Sequence, residues 1–207
     1  HSVLLGKDKL FRPLKDESIL EKHRIGKPFI LSVGTLEPRK NLITLLNAFR
    51  IFKSTHQSDV VLVMTGQNGW KNKNLEKTIN EHPFKQDIIR TAYVDSKDLP
   101  ALYSHCSVFI YPSLYEGFGL PLLEAMACGA PCIAAQNSSL TEVGGNAAVY
   151  FETKNAEDLS SKIKKVIEDD KWRKELENKS LEQAEGFSWE KYATEFIGLI
   201  EQKWGIK

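Results

Sequence analysis

What most restricts this chain is a repeated form: a short apolar run rich in β-branched or aromatic residues, then a stretch with helical spacing, then another run. The runs are Phe29–Val33, Val60–Met64, Ile88–Ala92, Val108–Tyr111, Pro131–Ala135 and the shorter Ala147–Phe151. Between them, Leu42, Leu45, Leu46 and Phe49 follow i, i+3, i+4, i+7, and Leu99, Leu102, Tyr103 and Cys106 repeat that spacing. Strands joined through helices must run parallel, and both faces of such a sheet need cover. The pattern therefore predicts an α/β fold: a Rossmann-like parallel sheet of about six strands with helices on both faces.

After Phe151 the pattern turns purely helical. Asn155 is placed to cap one helix, which closes at a solvated Glu168-Asp169-Asp170 cluster. Ser188 is placed to cap another, with Phe187 and Tyr192 spaced as a hydrophobic staple and Trp189, Phe196, Leu199 and Ile200 on one face. At the other end, residues 1–27 are basic and lack period, and Lys9-Leu-Phe-Arg-Pro13 reads as an extended connector. This divides the chain into a linker and domain start (1–27), a main domain (28–187) and a C-terminal helix (188–207).

Composition excludes several classes. Lys plus Arg number 28 against 27 Asp plus Glu, a net charge of +1, so the basic excess of a nucleic-acid binder is missing. No apolar run approaches the roughly 18–20 residues of a spanning helix, and the N-terminus lacks the layout of a secretory signal. A cytoplasmic protein is the expectation. Cys106, Cys128 and Cys132 are odd in number and set among small apolar residues, which predicts core thiols rather than disulfides or a zinc site. The charge is uneven: the first sixty residues carry 11 basic and 6 acidic side chains, a bias suited to an anionic ligand.

Ligands of open parallel sheets bind beyond the carboxyl ends of the strands, which directs attention to two segments. After the first run comes Gly34-Thr-Leu-Glu-Pro-Arg39-Lys40-Asn41, with Asn41 placed as an N-cap. Arg39 and Lys40 are then either solvated loop cations or a pair aimed at an anion such as phosphate. After the fourth run comes Glu116-Gly117-Phe118-Gly119-Leu120-Pro121, running into a helix that stops at Gly129. Its glycines allow close approach, and the amides of Gly117 to Leu120 can face an anion on the helix axis. Glu116 and Glu124 bracket this loop, either as acceptors for sugar hydroxyls or as a solvated residue and a backbone cap. The main chain of Tyr93-Val94-Asp95 either flanks a planar base or forms a plain turn.

Val33-Gly-Thr-Leu-Glu-Pro-Arg-Lys-Asn-Leu42 together with Glu116-Gly-Phe-Gly-Leu-Pro-Leu-Leu-Glu124 resembles the group 1 (family 4) nucleotide-sugar glycosyltransferases of GT-B architecture. The Glu-x7-Glu motif is the more specific piece. The resemblance runs from Phe11-Arg-Pro13 to Phe187-Ser-Trp-Glu190, and departs at Thr141, where such sequences often carry proline. It implies the C-terminal, donor-binding half of a GT-B enzyme, with an N-terminal acceptor half lying outside this sequence and the 188–207 helix packing back toward it. It implies a retaining transfer that requires no metal and no cofactor, from a UDP- or GDP-linked sugar to a sugar, glycan or lipid-linked acceptor. Arg39 and Lys40 would hold the diphosphate and Glu116 the transferred sugar, these three forming the catalytic set. Gly34, the Gly117–Leu120 amides, Glu124 on the ribose, and Val94 and Leu99 beside the base complete the donor site. The Pro-Arg-Lys-Asn context leans toward mannosyltransferases of polysaccharide assembly, with peripheral membrane contact. A GT-B epimerase or phosphorylase half, or a non-catalytic nucleotide-sugar-binding module, are the alternatives.

Overall fold

The computed structural model describes residues 3–70 and 72–205; the outer tips of the 1–27 and 188–207 segments lie outside the described residues. In chain order the elements are α1 (Ser18–Lys22), β1 (Phe29–Val33), α2 (Leu42–Thr55), β2 (Val61–Thr65), α3 (Lys73–Asn80), β3 (Ile88–Ala92), α4 (Leu99–His105) and β4 (Val108–Tyr111). There follow α5 (Leu120–Ala127), β5 (Cys132–Ala135), α6 (Ser138–Gly144), β6 (Ala148–Phe151), α7 (Ala156–Glu168), α8 (Asp170–Glu185) and α9 (Trp189–Trp204).

The six strands form one sheet in the order β3-β2-β1-β4-β5-β6, every pair parallel. All six expected runs become strands. The residues of β2, β4 and β5 are buried throughout, whereas the edge strand β3 is only half-buried, which is why the inner runs carry no polar alternation. The chain winds from β1 through β2 to β3, then crosses back to lay β4 on the other side of β1. The loops after β1 and β4 therefore diverge and leave a crevice between them, the topological switch point where open α/β sheets take ligands.

Local signals held in part. Asn155 and Ser188 do cap α7 and α9, accepting from the amides of Asp158 and Lys191. The acidic cluster at 168–170 is more than a solvated end: Asp169 accepts from the Trp172 amide and starts α8. The expected staple gives way because Phe187 turns inward onto Phe118, with ring centroids 6.1 Å apart, while Tyr192 sits against Trp189 and Phe196. The connector at residues 9–13 is not loose either, since the apolar Phe11 seats edge-on against Tyr103 and is 8% exposed. Cys106, Cys128 and Cys132 are buried free thiols. No residue of α9 is buried, and Trp189, Phe196, Ile197 and Trp204 are exposed. No helix among the described residues is long and apolar enough to cross a membrane.

Candidate functional site

The crevice is stitched shut at its base. Beyond β1, Pro38–Lys40 form a single 3-10 turn, and Asn41 follows in the left-handed region at φ 52°. Asn41 does stand at the N-cap of α2, as expected, but its side chain caps no helix amide. Its Nδ2 donates instead across the crevice to the Pro112 carbonyl at 3.1 Å, and its Oδ1 accepts from Thr44 Oγ1. A second tie runs from the Leu114 amide to the Arg39 carbonyl at 2.8 Å. Two segments more than seventy residues apart are thereby fixed edge to edge.

Their side chains meet above these ties. Arg39 donates from Nε and Nη2 to Glu37 Oε1 at 3.1 and 2.8 Å, and from Nη1 to the Tyr115 carbonyl at 2.9 Å and Glu116 Oε2 at 2.6 Å. Lys40 Nζ donates to Glu116 Oε1 at 2.6 Å and to Tyr111 Oη at 2.7 Å. A guanidinium has five N–H donors and an ammonium three, so each cation keeps one N–H in hand. Lys40 and Glu116 are not solvated, their side chains each only 10% exposed, whereas Arg39 is 41% exposed and is held by ion pairs to Glu37 and Glu116. Burial works against the charged form of Glu116, but hydrogen bonds and charge from Lys40 and Arg39 outweigh it and hold the carboxyl below the ordinary glutamate range. Gly34, at φ +144°, underlies this arrangement; a Cβ there would lie 3.2 Å from Lys40 Cε.

The start of α5 faces the same place. Gly119 sits at φ +108°, where a Cβ would come within 2.8 Å of Leu140 Cδ2, and Pro121 occupies the first turn. The Leu122 and Leu123 amides turn back to the Gly119 carbonyl at 2.9 and 3.2 Å. The amides of Gly117, Phe118, Gly119 and Leu120 donate to no acceptor among the described residues, so four N–H groups lie at the positive end of a helix, directly after the carboxylate that meets both cations. The Phe118 side chain faces Phe187, leaving its amide as the group available to a ligand.

Glu124 lies one turn farther along. Its Oε2 accepts from the buried Tyr103 hydroxyl at 3.1 Å, and burial, with Asp8 adding to it, raises its pKa above the ordinary range. It caps no backbone group among the described residues. Val94 belongs to the core, 5% exposed, with Leu99 packed beside that core, so what residue 94 can present is main chain. Sequence reasoning missed Glu37, which aligns Arg39 while its Oε2 accepts from Trp70 Nε1 at 3.1 Å. It also missed Tyr111, and Ser139, whose hydroxyl donates to the Glu116 carbonyl at 2.9 Å. Proximity to Arg39 was a signal for Glu37; for the other two, sequence carries none, because the contacts exist only once β4, β1 and α6 are adjacent.

The comparisons identify the family and the fold. The sequence profile described as "Glycosyl transferases group 1" matches residues 15–183. O-antigen chain mannosyltransferase B of Escherichia coli is 36% identical over 184 residues, which is 88% of this chain and 48% of that protein; the chain thus spans about half the length of this relative. Among solved structures, the sucrose-phosphate synthase of Thermosynechococcus elongatus superposes with a TM-score of 0.83 at 26% identity, over 97% of this chain and 52% of that one. Anabaena HepE in complex with UDP and glucose gives 0.83 at 19% identity, over 96% and 56%. With Arg39, Lys40, Glu116 and the amides of the α5 start gathered at the switch point of a matching fold, the chain belongs to the group 1 glycosyltransferases.

Proposed function

We propose that this chain is the donor-binding half of a retaining glycosyltransferase that takes mannose from a UDP- or GDP-linked donor and passes it to a sugar, glycan or lipid-linked acceptor. The observation that carries the reading is the meeting of Arg39 and Lys40 with Glu116 at the mouth of four unclaimed amides. Mannose is favoured by the naming of the E. coli relative, and a nucleotide-sugar donor by the UDP and glucose held by HepE.

Breaking a sugar–phosphate bond leaves negative charge growing on the diphosphate while the sugar becomes oxocarbenium-like. Preorganised donors on the departing phosphate lower that barrier. In this reading the remaining N–H groups of Arg39 and Lys40, the Gly117–Leu120 amides and the α5 dipole supply that stabilisation without a metal or cofactor. Glu116 accepts from hydroxyls of the transferred sugar, Glu124 accepts from the ribose, and the main chain near Val94 and Leu99 flanks the base, with Gly34 below the phosphates. The acceptor half belongs to the portion of the relatives that this chain does not span, and the apolar residues of α9 face it. Acting on a lipid-linked acceptor, such an enzyme would lie in the cytoplasm, in peripheral contact with the inner membrane surface.

The test is a thermal-shift screen against UDP-, GDP- and ADP-sugars, followed by calorimetry of Arg39→Ala with the best nucleotide. A ligand selective for the folded chain raises its melting temperature. Loss of charge-assisted hydrogen bonds should weaken diphosphate binding by about 1.5–3 kcal/mol, roughly 10- to 150-fold. An unchanged dissociation constant would remove Arg39 from the site.

A further inference from the structure

We infer that Tyr111 is a positioning residue for diphosphate recognition: its hydroxyl holds the Lys40 ammonium so that one N–H remains directed to the donor. The inference rests on the donor-site reading above but names a residue outside the motif that carries it. Tyr111 is the last residue of β4 and is 1% exposed. Its ring stacks on Phe109, with centroids 5.9 Å apart and planes at 25°, so the phenol oxygen is delivered by a rigid strand. Lys40 arrives from the opposite wall of the crevice, and the oxygen meets Nζ at 2.7 Å.

Glu116 Oε1 takes a second N–H at 2.6 Å. With Glu116 alone, the ammonium could rotate about that single contact and fold fully onto the carboxylate. Two acceptors from two directions fix the tetrahedral group and determine where the third N–H points. Burial, and the neighbouring Glu116 charge, keep the phenol neutral well beyond physiological pH, so its oxygen is available as an acceptor rather than as a competing anion.

Tyr111→Phe deletes this oxygen and keeps the stacked ring. Calorimetry of the intact chain with UDP and UMP, and with GDP and GMP, separates the distal phosphate from the rest of the nucleotide. The variant should bind the diphosphates about three- to tenfold more weakly, a net hydrogen bond's worth, with monophosphate affinity unchanged. In a Lys40→Gln background the same substitution should add nothing further to the diphosphate preference. Equal weakening of mono- and diphosphates, or a full diphosphate preference retained in Tyr111→Phe, overturns the role of Tyr111 and leaves the donor site standing. A wild-type chain with no preference for diphosphate over monophosphate overturns both.

Discussion

Replacing Glu116 with glutamine should produce two opposite effects, one on the free chain and one on the complex. Glu116 accepts from Lys40 and from Arg39, both at 2.6 Å. Leaving one partner of a buried ion pair uncompensated costs about 3–5 kcal/mol. Arg39 retains Glu37 and is 41% exposed, so its share is small, and the amide oxygen of glutamine still accepts one bond from Lys40. The net destabilisation is then about 2–3 kcal/mol, or roughly 5–10 °C in melting temperature for a chain of this size. A bound diphosphate supplies the missing counter-charge. Diphosphate affinity should therefore rise about tenfold, adding about 1.4 kcal/mol to ligand stabilisation at a fixed excess of ligand, while the extra affinity contributed by the donor sugar shrinks. Differential scanning fluorimetry of both proteins, with and without UDP or GDP, reads both effects. A glutamine variant that melts with wild type and gains no more from diphosphate would refute the counter-charge argument. The pH dependence follows the same logic. The folded pKa of Glu116 lies below the ordinary 4.5, so its contribution is fully present above that value and lost as pH falls through the folded one; the two proteins should converge in acid.

Two further outcomes are expected. Burial raises the pKa of Glu124, so its contribution to stability is complete below the ordinary value and is lost as pH rises through the folded one. Glu124→Gln should accordingly match wild type in acid and melt higher than it once pH rises through the folded value of Glu124, and should discriminate less between nucleotides and their 2′-deoxyribose analogues; a variant that gains nothing on wild type as pH rises speaks against a destabilising buried charge. Removing residues 193–207 takes away, among the described residues, only side chains that are not buried, so the melting temperature should move by no more than about 2 °C; a fall beyond about 5 °C would make α9 part of this core rather than an open face.

The sheet was legible because its signal is local. Each strand is a single apolar run, and a run such as Val60-Val-Leu-Val-Met64 needs no partner to be identified. The site was legible to the extent that its residues lie in two short segments, Gly34–Asn41 and Glu116–Glu124, whose place after strands follows from the same pattern. What the sequence hid was pairing. Asn41 reads as a cap because its type and position suit one, yet the 3-10 turn ahead of it sets a left-handed φ and spends its amide on Pro112. Asp169 reads as a solvated acid although it opens α8. In both cases composition marked the residue, and only the neighbouring element decided what its side chain reached.

The same hidden pairing changes how such a site would attract the proposed anionic ligand. A basic first third suggests long-range attraction for an anion. In the folded chain, however, Arg39 and Lys40 face Glu37 and Glu116, and the four formal charges cancel. With a Debye length of about 8 Å at physiological salt, such a cluster exerts little pull from a distance. Its advantage is orientation. A free lysine ammonium surrenders up to about 2 kcal/mol of rotamer freedom on binding, whereas Lys40 has surrendered it during folding to Glu116 and Tyr111. Arg39 has likewise been fixed by Glu37 and the Tyr115 carbonyl. On the donor-site reading, the carboxylates exchange raw attraction for donors already placed, which would favour the state in which phosphate charge is greatest, because fixed N–H groups need no reorganisation as that charge develops.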